Sequence, residues 1–291
     1  CKSCINTPLD LAAAAGWLTC GKVWQFMVTE ESLEALDLLV WLRSEKAAAA
    51  YCYCSQSAIS RRIATTLKTF RLQLGRWQNE VVVQGNVHLL MLERQVHQLA
   101  RLQQFRPLRL EATHFFQHNL LEDRIIDAWI SSDLFDLPPE DHPTLVAFPL
   151  MTWPGYLVVC DNHPLAGITG LSRGDIDRFP VMEIPDLLYP QLAQALNGIG
   201  LGSHQERMGR YDRGSWNGLS LNTATLTYSG PFQNEDGLQR LDWALGLDGG
   251  EALVVRRDLA EQPAIVLLRE ALQTLIQREA AREPLVQPLA A

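Results

Sequence analysis

The sequence predicts an α/β protein in two unequal parts: a helical front with a small β-hairpin and one long helix, then a longer stretch in which strands and helices alternate. Three observations carry this. Apolar residues recur at three- and four-residue intervals from Leu33 to Val40 and again from Leu89 to Leu102, as helices with one buried stripe require. Between them Val81, Val82 and Val83 form a β-branched run bounded by Asn and Gly. After Pro107, apolar runs at Leu108–Ala112, Ala128–Ile130, Val146–Leu150 and Tyr156–Cys160 alternate with helix-patterned segments.

The size supports two domains. At 291 residues, 47% hydrophobic and 20% charged, the chain can bury a real core, which excludes a disordered or fibrous protein. No run approaches the roughly 18 apolar residues that span a bilayer, so no membrane partner is expected. Cys1, Cys4, Cys20, Cys52, Cys54 and Cys160 are too few and too scattered for a disulfide framework, and no secretion signal is legible, so the expected compartment is the cytoplasm. The pair Cys1 and Cys4 lacks a second CxxC or a histidine pair, and neither a metal nor a cofactor is expected. The first methionine is Met27, so residues 1–26 are read as an N-terminal extension, unstructured or upstream of the true start.

Element by element, Thr29 can cap a first helix running to about Lys46. Ala47–Ala50 with Tyr51 and Cys52 makes a short second helix of small residues, and Ser55 is placed to cap a third over Gln56–Lys68. Ala58, Ile59 and Ile63 fall on one side of the third helix, with Ser57, Ser60, Arg61 and Arg62 mostly on the other. The hairpin after Phe70 reads as a wing. A long helix from Val87 to Phe105 carries Leu89, Leu92, Val96, Leu99 and Leu102, a stripe that could pair with a second copy. Later elements are a helix over Leu187–Leu196, strands over Thr223–Tyr228 and Ala252–Val255, and a final amphipathic helix over Pro263–Arg278.

Charge is unevenly distributed. Residues 55–109 hold nine basic residues (Arg61, Arg62, Lys68, Arg71, Arg76, Arg94, Arg101, Arg106, Arg109) against Glu80 and Glu93, a local +7 in a chain of net charge −8, so the remainder carries −15. A basic stretch around a short helix, with the acidic remainder held away, is the footprint that a phosphate backbone selects.

The segment from Arg43 to Ile63 resembles the winged helix-turn-helix of LysR-type transcriptional regulators: Ala48 and Ala49 stand seven residues before Ser55, Gln56, Ser57, Ala58, Ile59, Ser60 and Arg61. Tyr156–Ala166 and Leu171–Pro180 are similar to parts of that family's effector domain. The resemblance implies a winged helix-turn-helix over 27–86, a linker and dimerisation helix over 87–106 and a two-lobed, periplasmic-binding-protein-like α/β effector domain over 107–283. Lobe one would comprise 107–160 and 246–283, lobe two 161–245, with a tail at 284–291. Two departures stand out: the wing sequence is divergent, and the first lobe has room for about one helix between its first two strands.

On this resemblance the chain is a sequence-specific transcriptional regulator that binds an imperfect palindrome of double-stranded DNA as a dimer or tetramer. Its further partners would be a small-molecule effector and RNA polymerase. Ser55, Gln56, Ser57, Ser60, Arg61, Arg62, Lys68, Arg71 and Arg76 are the DNA-binding candidates, and Ala48, Ala49, Ala58, Ile59 and Ile63 the packing residues of the helix-turn-helix. An effector would lie between the lobes near Thr113, His114, Ser131, Pro185 and Asp186, where helix N-termini offer N–H groups to an anion.

Three rivals stand beside this reading. An enzyme lacks support, because no GxSxG elbow, phosphate-binding loop, dinucleotide fingerprint or HExxH helix is present. A small-molecule binding protein would not need the helix-turn-helix. A regulator with a degenerate sensor, binding DNA without an effector, fits the short first lobe.

Overall fold

The computed structural model describes residues 28–77, 80–112, 118–131, 134–179, 190–201, 227–229 and 237–289. The expected extension at 1–26 lies outside the described residues.

The front of the chain is a compact helical unit. Helix α1 (Glu30–Leu42) is capped by Thr29, whose side chain accepts from the Ser32 N–H. It ends at Arg43, in the left-handed region at φ 58, not near Lys46 as the periodicity suggests. Ser44 caps a new helix there, because its side chain accepts from the Ala47 N–H, and α2 runs over Glu45–Tyr51. Helix α3 (Gln56–Phe70) outlasts its predicted end at Lys68 by two residues before Arg71 turns left-handed. Ala48 and Ala49 are buried, as are Ile59 and Ile63, while Ala58 is half-buried. Strands β1 (Gln73–Trp77) and β2 (Glu80–Gln84) pair antiparallel from Gln73↔Gln84 to Trp77↔Glu80, so the wing is present despite its divergent sequence.

Helix α4 (His88–Gln103) follows. Its buried face is Leu90, Arg94, Gln98 and Leu102, one residue per turn. Of the predicted stripe only Leu102 is buried; Leu89 at 62%, Leu92 at 47% and Val96 at 63% remain exposed.

The rest of the chain builds two sheets. The first has the order β10-β5-β9-β4-β3, with β3 (Leu110–Glu111), β4 (Ala128–Ser131), β5 (Leu145–Pro154), β9 (Asp248–Arg256) and β10 (Gln287–Pro288). The second has the order β7-β6-β8, with β6 (Tyr156–Cys160), β7 (Thr227–Ser229) and β8 (Leu238–Arg240). Helix α5 is described over His118–Glu122, and the chain turns left-handed at Arg124 after it. Helices α6 (Arg173–Ile176), α7 (Pro190–Gly198) and α8 (Pro263–Ala280) complete the order. The predicted segments 187–189 and 223–226 lie outside the described residues.

Two boundaries differ from the expectation. The chain changes sheet at Gly155, so Tyr156–Cys160 belongs to the second sheet and not to lobe one. The C-terminus is not a frayed tail over its described part: Val286 is buried, β10 pairs with β5, and the Leu289 N–H donates to the Leu150 carbonyl.

Helix α1 also packs beyond the helices of the front unit. Its Leu33, Leu36, Leu39 and Trp41 share one buried cluster with Leu120, Leu121, Ile125, Ile126, Trp129, Leu145 and Val254 of the first sheet and its flank. The Trp41 indole N–H donates to Glu111 Oε2 on β3 at 2.6 Å. Helix α1 thereby covers sheet surface that would otherwise face water.

Candidate nucleic-acid interface

Helix α3 is amphipathic in the required way: Ile59, Ile63 and Thr66 are buried, and Thr66 Oγ1 donates to the Ser32 carbonyl of α1, locking the two helices together. Ser55 caps α3, its Oγ accepting from the Ala58 N–H at 3.3 Å. The opposite face is open: Gln56, Ser57, Arg61 and Lys68 are exposed and Ser60 and Arg62 half-buried, with exposed Arg71 and Arg76 following on the C-cap and the wing. Arg61 Nε donates back to the Ser57 carbonyl, and Arg62 Nη1 lies 4.0 Å from Cys54 Sγ. Among the described residues, none of Arg61, Arg62, Lys68, Arg71 and Arg76 forms a salt bridge.

The other four basic residues of the +7 segment correct the sequence reading, since each is paired with an acid of the chain itself, three of them largely buried and Arg106 on the surface. Arg94, only 3% exposed, donates from Nε to Asp37 Oδ1 at 2.8 Å. Arg109 reaches Asp37 at 3.2 Å and Glu34 at 3.4 Å. Arg101 forks onto both carboxylate oxygens of Asp127 at 3.0 and 2.7 Å, and Arg106 pairs with Glu30 at 2.6 Å. These bonds join α1, α4 and the first sheet. The footprint therefore contracts to five cations on α3 and the wing.

Three features of this surface have no clear sequence signal. Glu80, which counts only as an acid in a basic stretch, is buried at the root of β2 and holds Arg43 at 3.1 Å, pinning the wing to the corner between α1 and α2. Tyr53, 98% exposed with φ 51, projects from the turn before α3 with its hydroxyl available to a phosphate oxygen. Glu45 reaches from α2 to Gln56 and Ser60. The neighbouring Cys52 and Cys54 pack partly buried against the core, and burial pushes the Cys52 thiol above its usual range, as suits a packing residue rather than a reactive one.

Of the effector candidates, Thr113, His114, Pro185 and Asp186 lie outside the described residues. Ser131 is buried at the end of β4. Nearby, the Asp136 carboxylate accepts from the Gln191 and Leu192 N–H groups at 3.0 and 3.2 Å, filling the start of α7 with the protein's own anion. Among the described residues no cluster of metal-ligating side chains occurs, and no helix is long and apolar enough to cross a membrane.

No family model and no curated protein matches the sequence. Solved structures with a similar fold include an OxyR mutant from Corynebacterium glutamicum (15% identity, 88% of this chain and 94% of that one, TM-score 0.45) and an OxyR variant from Pseudomonas aeruginosa (13%, 85% and 98%, TM-score 0.46). A third, described as a putative LysR family transcriptional regulator from Pseudomonas aeruginosa, is 12% identical over 85% of this chain and 99% of that one, with a TM-score of 0.43.

Proposed function

We propose that this chain is a sequence-specific DNA-binding transcriptional regulator, not an enzyme. The observation that carries the proposal is the α3 face: a capped helix, locked from behind by Ile59, Ile63 and Thr66, that presents Gln56, Ser57, Ser60 and Arg61 outward. Among the described residues its flanking cations, Arg62, Lys68, Arg71 and Arg76, are not spent on ion pairs. A helix so built suits a major groove, with Ser, Gln and Arg at base edges and the flanking cations on phosphates.

The domain assignment follows: reader over 27–86, linker helix over 87–106, and a two-lobed remainder that acts as sensor. The exposed Leu89, Leu92 and Val96 give α4 an apolar seam for a second copy, so that two readers meet the half-sites of an imperfect palindrome as a dimer or a tetramer. Control by a small-molecule effector between the lobes and contact with RNA polymerase belong to the same proposal, in the cytoplasm.

A second reading, a regulator that needs no effector, is favoured by Asp136, which occupies the helix start where an acidic effector would bind. Binding of the purified chain to pooled genomic fragments, beside a Gln56→Ala, Arg61→Ala double variant, tests the main reading. Enrichment of a few palindromic fragments that the variant loses supports it, whereas uniform binding by both proteins overturns it. Enrichment without added small molecules favours the second reading.

A further inference from the structure

One acidic residue sits inside the basic reading surface. Glu45 opens α2, yet its carboxylate is engaged with α3: Oε2 accepts from Ser60 Oγ at 2.5 Å and from Gln56 Nε2 at 3.4 Å. Gln56 and Ser60 are one turn apart on the same face, so a single carboxylate braces both.

The chemistry of that brace is one-sided. A carboxylate only accepts, so each partner must turn a donor toward it. Ser60 thereby commits its one hydroxyl proton, and what it can still offer is lone pairs. Gln56 turns its nitrogen toward Glu45, which leaves Oε1 and one N–H for an outside partner. Glu45 adds its own oxygens to the same spot. The centre of the face is thus rich in acceptors.

In the major groove adenine and cytosine present amino donors, N6 and N4, where guanine and thymine present the acceptors O6 and O4. We propose that Glu45 is a specificity-determining positioning residue: it sets Gln56 and Ser60 to accept from the amino edge of adenine or cytosine, and it disfavours guanine or thymine at that place on the contacted strand. For Gln56 the arrangement suits adenine, with Oε1 accepting from N6 and the remaining N–H donating to N7. This inference rests on the DNA-binding reading above.

The test is selection from a randomised duplex pool at one fixed salt concentration, using the full chain and its Glu45→Ala variant. The wild type should select adenine or cytosine at the position that Gln56→Ala relaxes. Glu45→Ala should cut the discrimination against guanine there at least tenfold, and Gln56→Ala should then have little further effect at that position. Positions set by Arg61 and the urea midpoint should be unchanged. Glu45→Gln, which keeps the side chain's size and returns a donor to the spot, should gain guanine at the same position; it carries the test if the alanine variant does not fold. Unchanged base preference in both folded variants overturns the inference, as does an equal loss at every position, which would mark a structural role. A wild type that selects no motif at all defeats the DNA-binding reading itself and this inference with it.

Discussion

Two sets of cations from the same 55-residue stretch meet opposite fates. Arg61, Arg62, Lys68, Arg71 and Arg76 lie on α3 and the hairpin and form no salt bridge among the described residues, whereas Arg94, Arg101, Arg106 and Arg109 close onto Asp37, Asp127, Glu30 and Glu34. Charge counted along the chain does not separate them, because the partners are remote: Asp37 is 57 residues from Arg94 and 72 from Arg109. The first set is available to an external polyanion. The second fastens α1 to the long helix and the sheet behind it.

The largest effect should come from the fastening. Asp37→Ala leaves Arg94 and Arg109 buried without their shared acid, and should cost about 3–5 kcal/mol in urea unfolding. A loss below about 1 kcal/mol would show that water reaches both guanidinium groups and that the seam is loose.

Glu251 sharpens the contrast from the acidic side, being a mostly buried carboxyl on β9 with no salt bridge among the described residues. Burial pushes it up to about 7 from its ordinary 4.5. The folded state then holds a proton that the unfolded chain releases, so stability should fall as pH rises from about 4.5 to 7, by about 3 kcal/mol, and level off above. Glu251→Gln should remove that slope from unfolding curves taken across the range.

On the reader side the effects are smaller and appear in binding. Arg61→Ala should weaken a selected site by about 1–3 kcal/mol if its guanidinium reads a base, with little change on random duplex; an equal loss on both would reassign it to a phosphate. Ser55→Ala removes the α3 cap and should cost about 1 kcal/mol of stability.

Much of the fold was legible in the sequence, for reasons that can be named. The small residues Ala48 and Ala49, the cap at Ser55 and the spacing of Ile59 and Ile63 are local signals, and they place α2, α3 and their packing. The wing was legible from Val81–Val83 and the turn residues around them. What failed was non-local. The sequence offers Leu89, Leu92 and Val96 as a face for a second copy but does not show the face that α4 buries within its own chain, Leu90, Arg94, Gln98 and Leu102, because the acids that make Arg94 and Gln98 tolerable inside, Asp37 and Asp127, lie elsewhere in the chain. The docked end at Val286–Leu289 carries no strand pattern of its own and is held by pairing with β5. Glu45 was invisible as a site residue, because nothing in its neighbours announces Ser60, fifteen positions away.

The division between the two sets of cations is tested most directly by the salt dependence of DNA binding. The slope of log Kobs against log salt should shrink by about 0.9 for each phosphate contact removed. Lys68→Ala, Arg71→Ala and Arg76→Ala should each lower it by about that amount, while Arg106→Ala, whose partner is Glu30, should match the wild type. If Arg106→Ala lowers the slope as much as the others, or if none of the four changes it, then α3 and the wing are not the surface that meets DNA.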